Sequence, residues 1–335
     1  MRILIVSDTW QPQKNEVVQT LEQTIKQLQH FGHEVKLISP EGFRTMACPM
    51  FPNVRLAVWP YKQLAGMIEA FAPEAIHITT EGPLGRAARR WCLQHNKPFT
   101  TAYHTRLPEY IHARTHLPLA WLYARSRRFH QPAKNVMVPT PSMQQLLLDK
   151  GFKNTALWSR GVDLERFFPA SRDGADYLCR HDNIHLPKFF YFGPLEAEKN
   201  IEAFLSLKLD GTKWVVGDGS LRSTLEKKYP DVQFLGEIEG DKLVQLLRAA
   251  DLVVFPCKME TAGLILLQAM ACGTPVAAFP VVGPIDVVND DKAGILDDDL
   301  AKACMKAVKL PRAHVRAFAE KTNWEKATRQ FERWL

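Results

Sequence analysis

Apolar runs of strand length alternate with apolar residues at helical spacing along this chain, and that alternation restricts the fold more than any other feature. Residues 2–6 are the first run; Val17, Leu21, Ile25 and Leu28 then recur at helical intervals, and Gly32 is placed to end that helix. Segments 34–39, 75–79, 99–103 and 135–138 read as further strands with helical patterns between them. The pattern weakens over 168–182, where Pro169, Ser171, Asp173 and Gly174 cluster as in a linker. A second series follows, with strands expected at 188–192, 213–216, 232–234, 252–255 and 275–279 and helices at 201–207, 221–229, 241–250 and 263–272. Alternation of this kind specifies a parallel sheet with helices on both faces. Two α/β units in tandem are therefore expected, and a length of 335 residues suits two domains better than one.

One stretch imitates a membrane span. No charge occurs between Glu260 and Asp286, but Gly273, Thr274 and Pro275 break it in the middle. A buried helix followed by a buried parallel strand accounts for it. The first residues, MRILIVSDTW, are too short an apolar run for a signal peptide. Six scattered cysteines (Cys48, Cys92, Cys179, Cys257, Cys272, Cys304) form no CxxC pair. That spacing argues against a zinc site and a disulfide framework, so a cytoplasmic protein without a bound metal is expected.

The net charge is +7, and it is unevenly spread, because no Asp or Glu lies between Glu109 and Asp149. That gap holds Arg114, Arg125, Arg127, Arg128 and Lys134 with Trp121, Tyr123 and Phe129. Such a stretch reads either as a solvated basic helix face or as a peripheral contact with an anionic membrane. No nucleic-acid-binding motif accompanies the charge, so nucleic acid is not an expected partner.

Ligands of open α/β sheets sit beyond the carboxyl ends of the strands, so the residues just after each strand are the candidates for chemistry. His104 follows one run and reads either as a partner for a sugar hydroxyl or as a histidine capping the next turn. Lys199 lies between a strand and a helix, where a cation can neutralise a diphosphate or simply face solvent. Gly217-Asp218-Gly219 follows a strand, but it is not a full GxGxxG fingerprint. Glu260 precedes Thr261, Ala262, Gly263 and Leu264 at a helix start, which reads as an amide nest or as ordinary capping. GxSxG, Walker A, HExxH and EF-hand signatures do not occur.

Seven segments in order carry a family resemblance: SDTWQPQKNEVVQTL (7–21), HITTEGPLG (77–85), AYHTRLPEYI (102–111), LWSRGVD (157–163), GPLEAEKN (193–200), GDGSLRSTLEKKYPDVQFLG (217–236) and FPCKMETAGLILLQAMACGTPVAAFPVVGPIDV (255–287). Together they resemble glycosyltransferase family 4, and within it the GDP-mannose-dependent α-mannosyltransferases and related glycolipid glycosyltransferases. The resemblance implies a GT-B fold, two Rossmann-like domains facing across a cleft. It implies an acceptor-side domain over 1–167, a nucleotide-sugar-binding domain over 168–318, and a terminal helix within 319–335 returning to the first domain. It implies a retaining hexose transfer from a GDP- or UDP-linked donor to a lipid or glycan acceptor. In that pattern His104 sits near the transferred sugar, Lys199 contacts the diphosphate, and Glu260 faces the donor sugar. The amides of Ala262, Gly263 and Leu264 bind sugar hydroxyls, Gly193, Gly217, Asp218 and Gly219 belong to the donor loops, and Arg160 and Asp163 belong to the loop closing the first lobe.

Three positions depart from the pattern. The residue after Asn15 is Glu16 where the family has glycine, Pro194 stands where it has arginine, and Gln268 replaces the second glutamate of its E-x7-E motif. A carboxylate at 16 and a proline at 194 both disfavour diphosphate, whereas Gln268 can still hydrogen-bond ribose. A GT-B-fold binding or regulatory subunit that has lost turnover is therefore the alternative, and a nucleotide-sugar epimerase is a third.

Overall fold

A computed structural model describes residues 1–13, 15–48, 51–170 and 186–335, with backbone alone at 51–53. The chain divides into two compact units, Met1–Arg160 with Trp324–Leu335, and Gly161–Asn323. Lys14, Cys179 and most of the expected linker lie outside the described residues.

The first unit is built on β1 (Arg2–Val6), β2 (Glu34–Ile38), β5 (Ala75–Ile78), β6 (Thr100–Ala102), β7 (Val136–Val138) and β8 (Thr155–Leu157), in the order β2-β1-β5-β6-β7-β8. Every pairing in this sheet is parallel. An antiparallel hairpin of β3 (Thr45–Cys48) and β4 (Phe51–Ala57) is added beside it. Alternation along β1 sends Leu4 and Val6 into one core and Ile3 and Ile5 into the other. Both faces of the strand are thus buried, and it reads as a continuous apolar run.

The terminal helix Trp324–Trp334 completes this unit. Its buried residues Trp324, Ala327, Thr328 and Phe331 recur at helical spacing. Phe331 packs against Trp158 with ring centroids 4.7 Å apart and against His77 at 4.8 Å. Glu332 meets His33 at 2.9 Å, and the Trp334 indole donates to the Leu157 carbonyl at 3.0 Å.

The second unit carries β9 (Lys188–Phe192), β10 (Thr212–Val216), β11 (Gln233–Gly236), β12 (Leu252–Phe255), β13 (Val276–Ala278) and β14 (Gly294–Leu296). Their order is β11-β10-β9-β12-β13-β14, all parallel. Counted from β9 this is 3-2-1-4-5-6, the Rossmann order, whose switch point falls between β9 and β12. Phe190 and Phe192 enter one core of this sheet and Phe189 and Tyr191 the other.

The observed divisions at Arg160/Gly161 and Asn323/Trp324 differ from the expected boundaries at 167/168 and 318/319. Packing explains both shifts. Val162 and Phe167 are buried in the second unit's core, and Arg316 donates to the carbonyls of Phe167 and Ala271 at 2.7 Å. Ala319 is fully buried in the same core, and Val162 bridges Asn323.

Candidate active site

In the first unit, polar groups gather just beyond the carboxyl ends of β1, β5, β6 and β8. Asp8 Oδ1 accepts from Leu84 N at 2.7 Å, and Oδ2 accepts from Gly85 N at 3.2 Å and from the Thr80 hydroxyl at 2.8 Å. Asp8 therefore caps helix Pro83–Gln94 from another strand, and burial raises its pKa against those hydrogen bonds. Gly82 is required there, since a Cβ would lie 2.4 Å from the Asp8 carboxyl carbon.

His104 follows β6 and Arg160 follows β8. Arg160 Nη2 donates to His104 Nδ1 at 3.0 Å, and Arg160 Nη1 donates to the Trp158 carbonyl at 2.8 Å. The guanidinium also stacks over the Trp158 ring, 4.7 Å from its centroid, while His104 meets that ring edge-on at 5.4 Å. Glu16 Oε1 lies 4.0 Å from Arg160 Nε. Burial brings Arg160 down to about 10, a fall the Glu16 charge opposes. Burial first, then the charges of Arg160 and His77, hold His104 well below the usual histidine range. Asn15 caps helix Glu16–His30 by accepting from Val18 N at 3.1 Å, which puts Glu16 in the first turn, where a carboxylate suits the helix dipole.

In the second unit, Lys199 ends the 3₁₀ turn Ala197–Lys199 after β9, and Glu260 follows β12. The two therefore flank the switch point of the sheet, and Lys199 Nζ lies 3.7 Å from Glu260 Oε2. The other Glu260 oxygen accepts from Thr261 N at 2.9 Å and from Ala262 N at 3.4 Å. The Ala262 amide, expected to serve a ligand, is thus shared with the carboxylate beside it. Gly263 adopts φ +67° at the start of helix Leu264–Ala271, a conformation that favours glycine, and Leu264 opens the helix. Gln268 is buried within it.

The two glycines after β10 are explained by close backbone approach to the segment after β9. A Cβ on Gly217 would stand 1.9 Å from the Gly193 carbonyl oxygen, and one on Gly219 would stand 2.6 Å from that of Leu195. Asp218 accepts from Gly219 N at 2.7 Å and pairs with Arg222 at 3.0 Å on the exposed side. The Pro194 carbonyl accepts from the Tyr191 hydroxyl at 2.8 Å, so position 194 supplies neither a cation nor an N–H.

Arg160 and Asp163, expected in one loop of the first lobe, fall in different units. Asp163 Oδ1 accepts from Glu165 N at 3.2 Å and Arg166 N at 3.1 Å, so it caps a turn in the second unit. The His104–Arg160–Glu16 arrangement was not legible from single motifs. Each residue lay in a segment already noted, but their contact required the sheet order.

The basic stretch forms helices Leu107–Thr115 and Leu119–His130. Tyr123 and Phe129 are buried, so of its three aromatics only Trp121 faces outward, 54% exposed, next to the exposed Leu117. Glu109 accepts from Arg106 at 2.7 Å and from the Tyr123 hydroxyl at 2.6 Å, tying the helix pair together. Among the described residues no helix is long and apolar enough to cross a membrane, and no group of His, Cys, Asp or Glu is placed to hold a metal ion.

Two Rossmann-like sheets in tandem, each with polar groups at its strand ends, define the GT-B fold class, and solved structures of that architecture superpose on the chain. Sucrose-phosphate synthase from Thermosynechococcus elongatus does so with a TM-score of 0.76 at 20% identity, over 99% of this chain and 97% of that one. HepE from Anabaena, in complex with UDP and glucose, gives 0.73 at 16% identity, over 99% and 98%. The profile of Glycosyltransferase Family 4 matches residues 17–166, and that of the Glycosyl transferases group 1 matches 187–310. The two profiles lie essentially one in each unit and together span most of the chain, which resembles glycosyltransferase family 4 and is an enzyme of the glycosyltransferase class. It is 28% identical to a GDP-mannose-dependent alpha-mannosyltransferase of Mycolicibacterium smegmatis over 98% of this chain and 92% of that protein. It is 29% identical to the sulfoquinovosyl transferase SQD2 of Arabidopsis thaliana over 81% of this chain and 58% of that protein.

Proposed function

We propose that the chain moves a hexose from a nucleotide sugar to a lipid or glycan acceptor with retention at the anomeric carbon. The observation that carries this reading is the Lys199–Glu260 pair at 3.7 Å, beside the switch point of a Rossmann-ordered sheet. Breaking a glycosyl–phosphate bond builds negative charge on the diphosphate and positive character on the sugar. Lys199 and the amides opening helix Leu264–Ala271 suit the first, and the Glu260 carboxylate suits the second. In this reading the donor binds the second unit, Gln268 meets the ribose, His104 meets the transferred sugar, and no resident cofactor is needed. GDP-mannose is the favoured donor, because relatives from Mycolicibacterium smegmatis and Corynebacterium glutamicum, each 28% identical, carry it in their names. A UDP-sugar is the second choice.

The test is a panel of nucleotide sugars scored for binding and for transfer or hydrolysis. Turnover of one donor, lost in Glu260→Gln, supports the reading, and a panel with no binding at all sinks it.

A binding subunit without turnover is the second reading, and the missing cation at Pro194 favours it. Calorimetric titration with GDP and UDP separates the two. If the wild-type chain binds neither nucleotide and Glu16→Gly with Pro194→Arg restores binding, the enzyme reading fails.

A lipid acceptor would be met at the face of an anionic membrane by exposed Leu117, Trp121, Arg114 and Arg125, with the protein on the cytoplasmic side. Co-sedimentation with vesicles tests this, and equal recovery on anionic and zwitterionic lipid removes it.

A further inference from the structure

We propose that Arg160 is the positioning residue for His104, holding the imidazole as its neutral Nε2–H tautomer, and that Glu16 is the counterion that keeps this guanidinium in place. The first part follows from donor inventory. A guanidinium has donors only and keeps its proton in proteins, so the 3.0 Å contact from Arg160 Nη2 requires a lone pair on His104 Nδ1. A neutral ring with Nδ1 accepting carries its proton on Nε2. The same contact opposes the imidazolium, which would set two cations against each other in a buried place. The ionisable groups acting on the ring are Arg160 and His77, and burial keeps His77 itself neutral, down to about 3.

Arg160 is well held for this task. It is 5% exposed, one arm of its fork is anchored on the Trp158 carbonyl at 2.8 Å, and its face lies on the Trp158 ring. A buried cation needs a compensating charge. The carboxylate near it is Glu16 at 4.0 Å, reaching from the first turn of helix Glu16–His30. The departure from glycine at position 16 thereby acquires a purpose. The carboxylate that would repel a diphosphate has its charge directed to Arg160, and the pair presents less net charge than either member alone.

The consequence for chemistry rests on the proposed role of His104 at the sugar. Fixed as the Nε2–H form, His104 can donate from Nε2 to an electron-rich oxygen, and it cannot remove a proton through Nδ1.

The experiment is long-range nitrogen–proton correlation of the imidazoles in the full chain, with the His104 signal assigned by its loss in His104→Gln. The expected result is a neutral Nε2–H ring that does not titrate between about pH 5 and pH 8. An Nδ1–H ring or an imidazolium at neutral pH overturns the proposal. This readout needs no substrate, so a chain that transfers no sugar yet shows the Nε2–H ring would refute the function proposed above and leave this inference standing.

The variants Arg160→Lys and Glu16→Gly address the rest, measured with the best donor of the panel. Both are expected to lower kcat by roughly 10–100-fold with little change in donor KM, and to shift the His104 signal. Glu16→Asp is expected to recover part of the loss. If Glu16→Gly keeps or raises kcat and leaves the His104 signal unmoved, Glu16 is no counterion, and the proposal fails in that part.

Discussion

Lys199 Nζ lies 3.7 Å from Glu260 Oε2, so the chain's two principal donor-side candidates are already partners of each other. Their contact joins the loops after β9 and β12, which are neighbours in the sheet although distant in sequence. Glu260→Gln keeps the shape and one acceptor but removes the charge. It is expected to lower kcat by about 10²–10³-fold, the cost of removing one preorganised electrostatic partner. Lys199→Met is expected to weaken nucleotide diphosphate binding as well, since the lysine is the partner that changes with the leaving group. Steady-state kinetics with paired calorimetry would check both, and Glu260→Gln turning over at nearly the wild-type rate would contradict the assignment.

Gly217 and Gly240 make a matched pair for testing backbone fit. Both have positive φ, at +136° and +63°. A Cβ on Gly217 would lie 1.9 Å from the Gly193 carbonyl oxygen, whereas one on Gly240 would meet nothing within 4 Å. Gly240→Ala should cost only the left-handed backbone penalty, about 1 kcal/mol. Gly217→Ala should cost on the order of 3 kcal/mol and disturb nucleotide binding, because the loops after β9 and β10 must separate. Urea unfolding midpoints of the two variants give the comparison, and equal losses would mean the close approach is not a constraint.

His77 should make the first unit sensitive to acid. Burial, with the charge of Arg160, pulls its pKa from 6.5 down to about 3 in the folded chain. The unfolded chain therefore binds a proton that the folded chain refuses between those values, and stability rises with pH across that window. Above pH 6.5 the contribution is complete; below it about 1.4 kcal/mol is lost per pH unit, or ~2 kcal/mol by pH 5. His77→Gln removes this titration. The stability gap between wild type and variant should shrink by ~2 kcal/mol from pH 7 to pH 5 in urea titrations. A gap independent of pH would show that His77 titrates normally.

Phe331 anchors the last helix on the first unit. It is fully buried against Trp158 and His77. Phe331→Ala should cost about 3–5 kcal/mol through lost transfer energy and the cavity left behind. Thermal unfolding would show the first unit melting earlier with the second unchanged, and a loss shared equally by both units would contradict the division of the chain.

Local pattern carried much of the fold. The run at 2–6 is β1 residue for residue, 188–192 is β9 and 252–255 is β12, because strands buried on both faces are continuous apolar runs. The uncharged stretch after Glu260 contains helix Leu264–Ala271 and then β13, as the break at Gly273–Pro275 implied. The hairpin β3–β4 was not legible, since Pro49 and Pro52 interrupt its alternation. Nor were β8 (Thr155–Leu157) and β14 (Gly294–Leu296) among the strands expected from the sequence.

By itself, the order of residues determined two parallel α/β units in tandem and put Lys199, Glu260 and His104 in the segments that follow strands, because strand and helix periods are local properties of a chain. Tertiary structure alone decided which of those residues meet. Glu16, His104 and Arg160 come from three separated segments, and the parallel sheet carries them to one end; burial there leaves a guanidinium, an imidazole and a carboxylate to satisfy one another.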